Sequence, residues 1–151
     1  NDQLLGEQDI IDHMNFLMMA AHDTTTSSIT SIVWCLAKYP EWQDRLREEI
    51  AGIRARHGAL SYETLGEMEV TDMVFKEALR LIPPVPSMPR RAVKSFVFQN
   101  HVVPAGAHVG INQMISHRLP EYWPNPEHFD PTRFTPENSR GRHKYAWVPF
   151  G

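Results

Sequence analysis

A mainly helical fold with a small β portion follows from three features of the sequence. Only Pro40 occurs in the first 82 residues, and the other eleven of the 12 prolines fall from Pro83 onward. Apolar residues in the first part recur at helical steps, while the second part holds short alternating runs bounded by turn residues. Proline has no N–H and its ring clashes with the preceding helical turn, so its distribution divides the chain into a helical part, 1–82, and a hairpin and meander part, 83–151.

The first helix is expected from about residue 8 to 38, because Ile10, Met14, Leu17, Ala21, Ile32 and Leu36 fall on one stripe, interrupted by the polar Ser28. At 1.5 Å per residue it is about 45 Å long. Pro40 then suits the first turn of a second helix, "PEWQDRLREEIAGIRARHG", with acids early, arginines late and Gly58 as a stop. A short turn around "SYETLGEME" leads to a third helix, "TDMVFKEALRLI", ended by Pro83-Pro84. Beyond it, "SFVFQNHVV", the "PAG" turn and "AHVGINQM" read as strands of one hairpin. The run "LPEYWPNPEHFDPTRFTPEN" holds too many prolines for ladders or helices, yet its Tyr, Trp and Phe must pack, so an ordered aromatic meander is expected.

The charge of -3 and the absence of a basic run argue against nucleic acid as a partner. The longest apolar runs, Phe16 to Ala21 and Ile32 to Ala37, fall far short of the roughly 20 residues a membrane span needs. The lone Cys35 excludes an internal disulfide framework and is compatible with a cytoplasmic location, although the start at Asn1 leaves an upstream anchor open. The eight histidines form no His-x-x-x-His pair, which argues against a metallohydrolase. Met14, Leu17, Met18, Val85 and Met88 are candidates for lining an apolar pocket, with ordinary core packing as the plain alternative.

One segment breaks the helical pattern. In "MMAAHDTTTSS" an acid and five hydroxyl residues lie mid-helix, with Thr24 on the face of Leu17 and Ser28 and with Ala20 and Ala21 one turn earlier. Such hydroxyls either bond to carbonyls a turn back, leaving Asp23 solvated, or line a pocket where the small alanines leave room. In "KEALR", Glu77 and Arg80 can meet on one helix face among Val74, Phe75, Ala78, Leu79, Leu81 and Ile82. A desolvated pair needs a further partner, and Arg133 in "FDPTRF" offers one. The stiff "RLIPPVPSMPRRA" run aims both Arg90 and Arg91, with a solvated basic pair at a strand start as the plain alternative.

Taken together and in order, Ala20-Ala21-His22-Asp23-Thr24, "KEALR", "PRRA", "FDPTRF" and "YAWVPFG" resemble the C-terminal part of the cytochrome P-450 family. Where the family usually has glycine, this chain has Ala21. The resemblance implies a partial catalytic domain over 1–151 with that family's fold, haem b (iron protoporphyrin IX) as cofactor, and Ala20 and Ala21 beside the haem. It makes Arg90 the propionate ligand, with Arg91 the fallback, and makes Phe150 and Gly151 the opening of the haem loop. The axial cysteine is expected just beyond Gly151, so the chain alone should be an inactive fragment, and Cys35 is a core residue about 16 Å along the helix from Thr24. By the same resemblance Asp23 and Thr24 are catalytic, handing protons to the oxygen being activated, and Glu77, Arg80 and Arg133 are a structural network. The implied activity is monooxygenation of a small lipophilic substrate with O2, fed by a ferredoxin or flavoprotein reductase from NAD(P)H. A same-fold isomerase would need no Asp23-Thr24 pair, and a non-catalytic helical interaction module would bind no haem.

Overall fold

The computed structural model describes residues 5–150, and its long helix α1 spans Glu7–Lys38, 32 residues, beginning one residue before the expected start. Pro40 ends α1 by pushing Tyr39 out of the helical region, at φ -128°, ψ 72°. It then serves as the first residue of α2, Pro40–His57, where its missing N–H costs nothing. Gly58 closes α2 at φ 77°, its N–H donating to the Arg54 carbonyl at 2.7 Å. A short 3-10 turn, Glu63–Glu67, leads into α3, Glu69–Leu81. The carboxylate of Glu49 on α2 caps α3 by accepting the Val70 and Thr71 amides at 2.6 and 3.0 Å and the Thr71 hydroxyl at 2.6 Å.

The expected hairpin is corrected in its pairing. Strand β1, Ser87–Arg91, precedes β2, Phe96–Phe98, β3, His101–Val103, and β4, His108–Asn112. The tight turn joining β2 to β3 is Gln99-Asn100, at φ 45° and 66°, a left-handed pair matched to strand twist. The "PAG" segment, with Gly106 at φ 84°, instead returns the chain so that β4 pairs with β1, placing Arg90 opposite Val109 and Arg91 opposite His108. Gln113 and Met114, expected in a strand, belong to a single helical turn, α4, Gln113–Ser116.

The meander also differs from expectation. Pro131 opens a 3-10 turn, Pro131–Phe134, and Pro136 opens α5, Pro136–Ser139. Proline at the first position of a turn removes only an N–H that has no helical partner, so a proline-rich segment can hold one-turn helices. Asp130 caps the first through the Thr132 amide at 3.0 Å, and Thr135 caps the second through the Asn138 amide at 3.3 Å.

The core gathers Cys35 from α1, Trp42 from α2, Val74, Ala78 and Leu81 from α3, and Phe129 from the meander. Tyr39 stacks on Phe129 with ring centroids 5.1 Å apart. Burying side chains of this size contributes about 2–3 kcal/mol each, which seats the meander on α3 despite its lack of ladders. On α1 only the C-terminal half enters the core, through Ser28, Ser31 and Cys35, whereas Ile10, Met14 and Leu17 on the expected buried stripe are exposed, as is the pocket candidate Met18. Among the described residues no helix is long and apolar enough to cross a membrane.

Candidate functional site

Thr24 is half-buried, and its hydroxyl donates to the Ala20 carbonyl at 2.7 Å. Ser28 repeats the bond one turn on, donating to the Thr24 carbonyl at 2.8 Å, and Ser31 and Thr30 do the same to Ser27 and Thr26, each at 2.8 Å. Back-bonded hydroxyls hide their donors in the helix's own carbonyls, which is how so polar a run persists inside α1 without breaking it. Asp23 is different. Its side chain is exposed, and its one partner is the ring of the adjacent His22, 3.0 Å away. Ala20 and Ala21 add no more than a methyl group on either side of the Thr24 turn.

Glu77 and Arg80 are fully buried, and Arg133 is nearly so. Arg80 grips Glu77 with both prongs, Nε to Oε2 at 2.7 Å and Nη2 to Oε1 at 2.8 Å. Oε1 also accepts the Asp130 amide at 2.9 Å, which ties the meander backbone to α3. Arg133, the further partner expected for this pair, approaches the same carboxylate differently. Arg133 Nε lies 3.3 Å from Oε1, within ion-pair range, but its N–H is not aligned on the oxygen, so that contact is Coulombic. Arg133 spends its Nη atoms on meander carbonyls instead, on Pro124 at 2.6 Å and Asn125 at 3.0 Å.

Arg90 and Arg91 are successive on β1 and so emerge on opposite faces. The Arg91 guanidinium lies over Gly106, in the turn before β4. Arg90 is exposed, and its contacts are local, with the Pro89 carbonyl at 3.0 Å and the Met88 Sδ at 3.7 Å. A guanidinium without a carboxylate partner is open to an anion. Phe150 is exposed and Gly151 lies outside the described residues. Cys35 is fully buried, and burial, reinforced by the charge of Glu77, pushes its thiol up to about 11. It therefore stays a neutral thiol in the core and cannot serve as a thiolate ligand.

Three residues that the sequence does not single out complete the surroundings. Arg142 lies 4.2 Å from the Trp123 ring and donates to the Arg133 carbonyl at 2.6 Å, and burial lowers its pKa. Arg118 donates to the Leu81 carbonyl at 2.8 Å. His117, fully buried, touches both the Arg80 carbonyl and the Val148 amide. Read for metal-ligand spacing, the histidines carry no mark of this role, because donor and acceptor for His117 come from segments far away in sequence.

A long helix with a run of back-bonded hydroxyls, beside a helix whose buried Glu77–Arg80 pair is tied to an ordered aromatic meander, defines a class of α-rich protein with a meander seated on its core. One solved structure of that class, a retinoic acid bound cyanobacterial CYP120A1, superposes on 100% of this chain and 35% of its own with a TM-score of 0.92 at 36% identity. The family model described as Cytochrome P450 matches residues 1–151, and the chain belongs to that family. A putative cytochrome P450 136 of Mycobacterium tuberculosis is 44% identical over 147 residues, 97% of this chain and 30% of that protein. Human cytochrome P450 4X1 is 43% identical over 143 residues, 94% of this chain and 28% of its own length. The chain thus spans about 30% of the length of the curated relatives it matches.

Proposed function

We propose that this chain is part of the catalytic domain of a haem-dependent monooxygenase, which inserts one oxygen atom of O2 into a lipophilic substrate and draws electrons from NAD(P)H through a ferredoxin or flavoprotein reductase. The observation that carries this reading is the family match over residues 1–151, in which the half-buried Thr24 and the exposed Asp23 stand at the oxygen-side motif of the long helix. In this structure Thr24 is back-bonded and Asp23 is solvated, so the role of the pair rests on its place in the family's motif.

The residues present fit a flat, largely apolar group with anionic edges. Arg90 would offer an exposed guanidinium for a propionate, and Met14, Leu17 and Met18 expose an apolar stretch of α1 next to Ala20 and Ala21 for the ring. Haem b, when bound, supplies the activation of oxygen and its insertion into the substrate. The Thr24 hydroxyl can accept a hydrogen bond while giving its own proton to the Ala20 carbonyl, and can turn to donate when that bond is released. The Asp23 carboxylate, one residue away, is open to solvent. The apolar, carboxylate-ended ligand named for the cyanobacterial neighbour supports a lipophilic substrate class.

Thr24→Ala in the full-length, haem-loaded protein tests the reading. Haem content should be unchanged, while reducing equivalents from NAD(P)H are diverted to hydrogen peroxide. Unchanged coupling of NAD(P)H to product would refute a proton-handling role for Thr24. A reduced carbon monoxide spectrum without a thiolate-type band would refute the haem-thiolate class.

A further inference from the structure

Helix α3 ends against Pro83-Pro84, and Pro84 has no N–H to give to the Arg80 carbonyl. That carbonyl is buried, so another donor must meet it. His117 Nδ1 fills the position at 3.2 Å, and in return Arg80 Nη1 donates to the His117 carbonyl at 2.8 Å. The opposite ring nitrogen, Nε2, accepts the Val148 amide at 2.9 Å. A carbonyl can only accept and a backbone amide can only donate. Both bonds therefore coexist in one form of the ring, the neutral tautomer with its proton on Nδ1. Burial, and after it the nearby cations of Arg80 and Arg118, disfavour a charged ring.

We infer that His117 is a positioning residue, which passes the geometry of the Glu77–Arg80 pair to the Val148 amide and so sets the segment that opens the haem loop. A second tether lies one residue earlier, where Trp147 Nε1 donates to the Lys76 carbonyl at 3.2 Å. The segment Ala146–Pro149 is thus hung on α3 at two carbonyls, Lys76 directly and Arg80 through the imidazole. Removing the ring frees the Val148 amide and the Arg80 carbonyl together, and leaves one tether about which the segment can turn. The haem part of this inference rests on the proposed function; the tether itself does not.

The test compares His117→Gln, whose amide keeps one donor and one acceptor, with His117→Leu, which keeps neither, in the full-length protein. Amide hydrogen exchange over residues 146–150 reads the tether, and the reduced carbon monoxide spectrum reads the fraction of haem held by thiolate. In His117→Leu, exchange at Val148 should rise roughly tenfold with that in α2 unchanged, and the thiolate-held fraction should fall several-fold. His117→Gln should restore both to within about twofold. Wild-type exchange at Val148 in His117→Leu overturns the inference. If His117→Leu does not fold, His117→Gln decides: near wild-type values support the inference, and accelerated Val148 exchange or failure to fold overturns it. A wild-type protein that takes up no haem refutes the proposed function, while the exchange measurement still judges the tether.

Discussion

Replacing Glu77 by alanine removes the one buried anion against which the α3 and meander cations are set. Three hydrogen bonds go with it, from Arg80 Nε, Arg80 Nη2 and the Asp130 amide, at 2.7, 2.8 and 2.9 Å, together with the Coulombic contact to Arg133 at 3.3 Å. Arg80 then remains fully buried with no opposite charge, 5.2 Å from the Trp123 ring. Breaking a buried pair from one side costs about 3–5 kcal/mol, a large part of the roughly 5–15 kcal/mol that keeps a domain folded. Glu77→Gln conserves volume but sets an amide NH2 against a guanidinium or the Asp130 N–H, so it should cost about 2–4 kcal/mol. Urea unfolding of the full-length protein followed by circular dichroism measures both. The slope grows with the surface exposed, so for a protein about three times this chain's length a slope of about 5 kcal/mol per molar lowers the alanine variant's midpoint by about 0.6–1 M. A shift below about 0.3 M for Glu77→Ala, or a glutamine variant equal to wild type, would refute the reasoning that charge pairing holds the meander on α3.

Arg133→Lys keeps the charge but cannot reach the Pro124 and Asn125 carbonyls at once. It should cost about 2 kcal/mol and open the meander to limited proteolysis, whereas wild-type resistance would contradict the caging role. Glu49→Ala uncaps α3 by removing its bonds to Val70 and Thr71, for a loss of about 1–2 kcal/mol in the urea midpoint; no loss would mean that water replaces the cap. Burial first, then the charges of Arg80 and Arg118, push His117 from its ordinary 6.5 down to about 4. Between those values the unfolded chain holds a proton that the folded one does not, so stability falls as pH drops from 6.5 toward 4, by about 3 kcal/mol at most. His117→Gln should flatten the dependence of the midpoint on pH over that window, and an identical slope in both proteins would remove His117 from it.

Much of this protein is legible along the chain because the causes are local. The ends of α1, α2 and α3 follow from Pro40, Gly58 and Pro83-Pro84, since proline and glycine act on the backbone within a residue or two. The order of Ala20 to Thr24, Glu77 to Arg80, Arg90 and Arg133 likewise carries the family. Other features have non-local causes. Both Gln99-Asn100 and the glycine of "PAG" take left-handed backbone, so local turn signals do not say that the first closes β2 on β3 while the second returns β4 to the distant β1. His117, Glu49 and Arg142 look like ordinary surface residues in sequence. Each is assigned by a partner remote in the chain: the Val148 amide, the first turn of α3 and the Trp123 ring. The sequence by itself determined the helices, their stops and the charged residues available for a buried lattice. Only the tertiary structure decided how Arg80 and Arg133 divide the Glu77 carboxylate and which ring nitrogen of His117 holds a proton, because a buried polar group takes its role from the partners that packing brings to it.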